Sequence, residues 1–305
     1  IDLKKEQVAA LERLPNEAQA AYSFAEVGLA TVLTKQNKEY QDALKKRDVT
    51  NLDLVQIDPW PAGGVVHESI KPGHRAMKTI SFLKENETDN AYAKPIQGVI
   101  SHVDLTLKEV TCVEDFGVVP VPKAHARYDA ESQSEFREQP KPIEITQPEG
   151  AGFEVEGNQI SWEGWQLRAS IHPVEGPVLH QVSLNERPIL HRASLSDMVV
   201  PYGSADPMHS WKAVHDGTEY GFGNLTNSLT LGCDCVGEIH YLDANILMFD
   251  GSVNFIENAI CIHEEDFGIQ WKHMDFNNFI PTEVRRSRRL VVSSISTIGN
   301  YDYGM

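Results

Sequence analysis

The sequence predicts a mainly β chain, a small α+β domain followed by part of a large antiparallel β-sandwich. Three observations predict it. The periodicity of the apolar residues switches from helical to two near Leu54. A polar, proline-bearing stretch at 124–144 then separates two regions. Beyond it, short alternating segments follow one another with turn residues between them.

Residues 1–49 read as a helical N-terminal segment. Asp2 can cap, Val8, Leu11 and Leu14 fall on one stripe, and Pro15 interrupts. A second helix is expected from about Glu17 to Leu33. A third, Asn37–Arg47, sets Tyr40 and Leu44 at i, i+4 with lysines opposite.

The α+β domain is expected over 50–135. Val55–Trp60 leads into the turn Pro61-Ala62-Gly63-Gly64, and Met77–Leu83 and Val99–Leu107 read as strands joined by the polar loop Lys84–Asn90. In the second of these, Val99, Val103, Leu105 and Leu107 share a face. Glu138-Gln139-Pro140-Lys141-Pro142 marks the linker.

From 136 to 305 the pattern is that of the N-terminal part of a sandwich. Phe153 and Val155 oppose Ile160 and Trp162 across Glu156-Gly157-Asn158. Trp165, Leu167, Ala169 and Ile171 alternate with polar residues, and Val178–Leu184 and Ile189–Leu195 flank a turn at 185–188.

Composition narrows the function classes. Hydrophobic content of 41% and charged content of 23% are ordinary for a globular protein. The 27 basic residues stand against 44 acidic ones, a net charge of −17, which argues against a nucleic-acid partner, since such binding rests on neutralising phosphate. No apolar run approaches the roughly 20 residues needed to span a bilayer. Four cysteines, Cys112, Cys233, Cys235 and Cys261, leave one disulfide plus two thiols or four thiols equally open, and the compartment with them. The chain starts at Ile1 without an initiator Met, and both ends read as cut.

Several stretches hold groups capable of chemistry: Pro201-Tyr202-Gly203, His215-Asp216-Gly217-Thr218-Glu219-Tyr220, Leu231-Gly232-Cys233-Asp234-Cys235, His263-Glu264-Glu265-Asp266, Lys272-His273-Met274-Asp275 and Asn300-Tyr301-Asp302-Tyr303. Each has a plain structural alternative; Asp216-Gly217, for example, is a good turn. The spacing around His263 matches no zinc pattern, and no His-x-His occurs, so no self-contained metal site is expected. There is no Gly-x-Ser-x-Gly elbow for a serine hydrolase and no Gly-rich phosphate loop. A hydrolase built on His215 and Asp216 is disfavoured because strand neighbours point to opposite faces.

Taken in order, these stretches resemble the catalytic domain of copper amine oxidases, and Asp58-Pro59-Trp60 resembles a segment of that family's preceding small domain. The resemblance covers about residues 30–305. It implies that Tyr301 is the precursor of the quinone topaquinone, that Asn300 holds the ring from beside it, and that Tyr202 hydrogen-bonds a quinone oxygen. It implies Asp216 as the catalytic base, a Cys235–Cys261 disulfide with Cys112 and Cys233 free, and a homodimer. The reaction implied is the conversion of a primary amine and O2 into aldehyde, ammonia and hydrogen peroxide. A quinone is an electron sink that makes the carbon beside the amine acidic, and a base within hydrogen-bond reach must take that proton. A carboxylate serves if burial against apolar walls raises its pKa.

Two departures stand out. The family's copper ligands are three histidines C-terminal to the cofactor tyrosine, so none is expected before Met305 and the C-terminal remainder of the same subunit is expected as partner. Asp216-Gly217-Thr218-Glu219 also differs from the usual Asp-x-Gly-Glu. The competing expectation is a non-catalytic β-sandwich binding or assembly module that has lost the copper site.

Overall fold

The computed structural model describes all residues except 16, 17, 88, 125, 126, 128, 129, 249, 250, 299, 300 and 305, with 301–304 described for their backbone alone. Helix accounts for 12% and strand for 43%, which makes the chain mainly β. Two units result, one of residues 1–134 with 200–214, the other of 135–199 with 215–305.

The first unit is built on an antiparallel sheet in the order β1–β2–β3–β4: β1 Val55–Pro61, β2 Ala76–Leu83, β3 Pro95–Asp104 and β4 Glu109–Asp115. Helices α1 (Phe24–Gln36) and α2 (Lys38–Lys45) pack on one face. Tyr40, Leu44, Val55, Ile57, Ile96 and Val99 form the core there. The polar groups carried inside are paired: Tyr40 Oη lies 2.6 Å from Ser81 Oγ, and Thr34 Oγ1 3.1 Å from Thr79 Oγ1.

After α2 the Arg47 guanidinium is fully buried. It donates to the carbonyls of Ala43, Gln97, Gly98 and Gly117 and to Asp115 Oδ1. Gly98 has φ +79°, and a Cβ there would lie 2.4 Å from the Gly117 carbonyl oxygen, so only glycine admits this approach. On the opposite sheet face Ile80 and Ile100 cluster with Met208 and Trp211.

The N-terminal helices differ from the sequence expectation. Residues 1–15 contain turns and an Asp2–Gln7 bridge and no helix, and Val8, Leu11 and Leu14 are exposed. Their stripe has no surface to bury it, and an isolated helix of that length is marginal in water. The second helix begins at Phe24, not near 17, because Ser23 and Glu26 form a reciprocal capping box. Leu107 lies past the end of β3 and is exposed, while Val99, Val103 and Leu105 are buried.

The larger unit starts with a five-stranded meander, β5 Phe153–Glu156, β6 Gln159–Trp162, β7 Trp165–His172, β8 Gly176–Leu184 and β9 Arg187–Ser194. Phe153 pairs with Trp162 and Val155 with Ile160. Leu184 pairs with Arg187 around Asn185 and Glu186, both at positive φ, a two-residue hairpin turn. The short strands β10 (Val199–Pro201) and β11 (Ala213–His215) form a hairpin.

A second sheet holds β12 (His240–Leu247), β13 (Val253–Asp275) and β14 (Ile280–Ser293). Phe153, Ile160, Leu167, Ala169 and Val182 of the meander pack against Ile260 and Ile262 of β13, with Leu290 and Val292 beside them. Two sheets facing each other across this apolar layer are a β-sandwich. The hairpin of β15 (Ile295–Ile298) and β16 (Tyr301–Gly304) ends the chain.

Candidate functional site

Asp216 follows β11 directly and is 5% exposed. Its amide donates to the Met198 carbonyl at 2.8 Å. The loop around it is clamped by Asp197, a residue that carried no signal in the sequence. Asp197 Oδ1 accepts from the Gly217 amide (3.0 Å), and Oδ2 accepts from Thr218 Oγ1 (2.7 Å) and lies 3.0 Å from His215 Nδ1. Burial works to raise the Asp197 carboxyl, but hydrogen bonds from Thr218, Met198, Gly217 and His215 together hold it below the usual range. A Cβ on residue 217 would stand 2.8 Å from Asp197 Oδ1, so the glycine lets the carboxylate come this close.

Glu219 closes the loop from the other side: its Oε2 accepts from the His215 amide at 2.8 Å, and burial raises its pKa. His215 itself is half exposed while its neighbour Asp216 is buried, so the two present no joint nucleophile–base pair.

From this loop the chain enters a 3₁₀ turn, Phe222–Leu225, through Gly221 in the left-handed region. Gly223 fits against the backbone of 172–176, where a Cβ would lie 1.8 Å from the His172 carbonyl oxygen. The next residues join the C-terminal hairpin. Thr226 bridges to Ser296, their hydroxyls 3.3 Å apart, the Asn227 amide donates to the Ile295 carbonyl, and Asn227 Nδ2 donates to Thr297 Oγ1. Ser294 and Ser296 are fully buried. Ten residues after Asp216, the chain is thus tied to the hairpin whose second strand starts at Tyr301, paired through its backbone with Ile298. The Tyr301 side chain and all of Asn300 lie outside the described residues.

Tyr202 belongs to the first unit. Its ring meets Trp60 edge-on at 5.6 Å and stacks on His209 at 6.2 Å. Lys212 Nζ lies 4.3 Å from the Trp60 ring centre and 5.1 Å from that of Tyr202. Desolvation in this aromatic surround brings the Lys212 pKa down to about 8 against the opposing pull of Asp58.

The remaining motifs hold the scaffold. Cys235 and Cys261 are joined by a disulfide, with Cys233 exposed and Cys112 half-buried as free thiols. Asp234 Oδ2 accepts from the Thr230 amide and shapes the loop that delivers Cys235. Glu264 is almost wholly buried and accepts from Gln147 Nε2 (2.6 Å), the Gly152 amide (2.6 Å) and Trp162 Nε1 (2.8 Å). Burial alone would raise its pKa; those donors outweigh it and leave the carboxyl below the usual range.

Glu265 pairs with Arg289 and Asp266 with Arg286 across the β13–β14 ladder, and Glu265 also pairs with His263 two residues earlier on β13. Lys272–Asp275 sits near the tip of that hairpin, where Asp275 accepts from the Asn277 amide and His273 lies 2.6 Å from Thr282. Among the described residues of this unit, no three His, Cys, Asp or Glu donors converge as a metal-ligand set. The backbone of Tyr301 lies on the hairpin that Thr226 and Asn227 tie to the Asp216 loop.

Comparison with known proteins gives a consistent result. Residues 154–305 match the family model "Copper amine oxidase, enzyme domain", and residues 25–133 match "Copper amine oxidase, N3 domain". A primary amine oxidase of Arthrobacter sp. (strain P1) is 42% identical over 99% of this chain and 47% of its own length. Histamine oxidase of Arthrobacter globiformis is 42% identical over 94% of this chain and 42% of its own. The crystal structure of a copper-containing benzylamine oxidase from Hansenula polymorpha superposes with a TM-score of 0.86 at 25% identity, over 100% of this chain and 49% of that one. The chain spans about half the length of the curated relatives it matches.

Proposed function

Because the chain belongs to the copper amine oxidase family, we propose that it contributes the base and the cofactor tyrosine of an enzyme that oxidises primary amines to aldehydes, with release of ammonia and hydrogen peroxide. The observation that carries this reading is Asp216, buried on a loop clamped by Asp197 and Glu219 and tied through Thr226 and Ser296 to the hairpin bearing Tyr301.

In this reading Asp216 takes the proton from the carbon that bears the substrate nitrogen. The clamp fixes the backbone on either side of Asp216, which limits how far the loop that carries it can move. The reading takes Tyr301 as the precursor of the quinone, and it carries over from the family resemblance the quinone-binding roles of Asn300, its neighbour in sequence, and of Tyr202. A quinone at that place supplies an electrophilic carbonyl and an electron sink, and O2 is the final electron acceptor. The family implies copper as well as the quinone. No step is assigned to the metal here. The relatives' names span methylamine, histamine and benzylamine, so the reading commits to primary amines as a class. The relatives named above are oxidases, and no comparison favours the non-catalytic scaffold.

The same reading makes residues 1–49 and 50–135 a leading segment and small domain, and 136–305 part of the catalytic domain. It also makes the protein a homodimer. Support for the dimer comes from the β13–β14 hairpin, which exposes Phe267, Trp271, Met274, Phe276, Phe279 and Ile280 on a single copy. Apolar side chains gathered on one extended hairpin call for a partner surface.

Phenylhydrazine titration of the copper-replete, aerobic protein together with its C-terminal remainder, followed by peptide mass analysis, tests the reading. A coloured adduct on the Tyr301 peptide is expected. Asp216→Asn is expected to keep that adduct and to lose amine turnover by at least about a hundredfold, the usual worth of a positioned base. An unmodified Tyr301, or wild-type turnover in Asp216→Asn, refutes it.

A further inference from the structure

The first unit contains a cluster that no sequence pattern announces. His102, in the second half of β3, is 2% exposed. Its Nε2 lies 2.7 Å from Glu114 Oε2 on the neighbouring strand β4. Its ring lies against that of His67, from the loop after β1, with centroids 4.3 Å apart and planes tilted by 31°. One potential ligand atom from each of the three falls within 4.8 Å of the other two, and this is the one such group among the described residues.

The surroundings favour an ion over a simple polar contact. His102 Nδ1 is buried without a hydrogen-bond partner, an expensive state for an imidazole nitrogen in a protein interior. Ser69 engages His67 through Nδ1 at 2.8 Å, and Ser69 Oγ in turn lies 2.8 Å from Thr111 Oγ1. The Ser69 amide also donates to His67 Nδ1 at 3.1 Å, so Ser69 holds the His67 ring from that side. Lys78 is the β2 cross-strand neighbour of His102, and its Nζ stands 4.8 Å from the centre of the Trp211 ring.

We propose that His67, His102 and Glu114 bind one divalent transition-metal ion of the class that takes imidazole and carboxylate together, with a fourth position left to water. Two histidines and one carboxylate are a known three-ligand set for such ions. Bonds of about 2.0–2.1 Å to one ion require His102 and Glu114 to open slightly and His67 to take up the third position. His67 can make that movement because it rides on a loop, while the other two sit on paired strands. The ion would pin the loop between β1 and β2 to the β3–β4 edge of the sheet.

The spacing of 35 and 12 residues explains why motif reading expected no self-contained metal site. The site stands on first-unit residues and does not depend on the proposed amine oxidation.

Zinc(II) titration of the chelator-treated 305-residue chain by equilibrium dialysis tests the proposal, with His67→Ala and Glu114→Gln beside the wild type. His102→Ala is avoided because His102 is buried. His67 is half-buried on a loop, so its replacement leaves the fold intact by circular dichroism. One ion per chain is expected for the wild type, and each variant should lose it or bind at least about tenfold more weakly. Cobalt(II) should give visible ligand-field bands that His67→Ala abolishes. A wild type that binds no zinc, or a folded His67→Ala that binds with wild-type stoichiometry and affinity, overturns the proposal.

Discussion

Glu264→Gln tests whether a buried carboxylate organises the sandwich. In the native chain Oε2 takes two donors, Gln147 Nε2 and the Gly152 amide, and Oε1 takes Trp162 Nε1. A glutamine of the same shape has one oxygen. Its amide nitrogen must face either the indole N–H or the other two donors, so at least one charge-assisted hydrogen bond is lost and one buried N–H is left unpaired. Each of these costs about 1.5–3 kcal/mol, and relaxation recovers part, so the expected loss is roughly 3 kcal/mol at neutral pH.

The loss must also depend on pH. The folded-state pKa of Glu264 lies below the ordinary value of 4.5. The folded state therefore binds fewer protons than the unfolded state in the window below 4.5. Stability contributed by Glu264 is full above that value and falls as pH drops through the lower folded pKa. Protonated glutamate resembles glutamine, so the gap between wild type and variant should narrow in that window. Urea unfolding followed by tryptophan fluorescence at several pH values measures both features. A loss below about 0.5 kcal/mol at pH 7, the size of an ordinary surface change, would refute the reasoning, as would a gap that does not narrow on acidification.

Three further outcomes follow from the same reasoning. Arg47→Met leaves Asp115, which Arg47 and Lys46 hold well below the usual carboxylate range, with one cation fewer and strips four carbonyls of their donor; thermal unfolding should show a loss of about 3 kcal/mol, and a wild-type midpoint would count against it. Gly223→Ala drives a methyl into the His172 carbonyl; overpacking of this kind costs about 3 kcal/mol, a drop of roughly 6–12 °C for a unit of this size, and an unchanged midpoint would refute the close approach. Lys212 should titrate near pH 8 in NMR of the reductively methylated protein. Its folded pKa lies below the unfolded 10.5, so stability rises with pH between those values; a midpoint above 10 would refute the burial argument.

Much of the sandwich was legible because strand periodicity is local. Trp165–Ile171 alternates, and Phe153 and Val155 meet Trp162 and Ile160 across a turn that narrows to Gly157 and Asn158, since Glu156 pairs with Gln159. Helix α2 was legible for the same reason, through Tyr40 and Leu44. The stripe Val8, Leu11, Leu14 misled because periodicity states which side would be buried and not whether a surface exists to bury it.

The parts of the site that were illegible are those whose reason lies far along the chain. Asp197 looks like any acidic residue before a strand, yet it accepts hydrogen bonds from residues 20 and 21 positions later. Glu264 looks like one charge among three, and its donors lie 102 to 117 residues earlier. The His67, His102 and Glu114 group is assembled by a loop and two strands. A carboxylate's role depends on whether its donors are gathered around it after folding, and a linear pattern carries no record of that gathering. Asp216 shows the consequence. Its identity as an aspartate before a turn glycine was readable, while its burial, and the clamp that Asp197 and Glu219 place on the residues beside it, exist only in the folded chain.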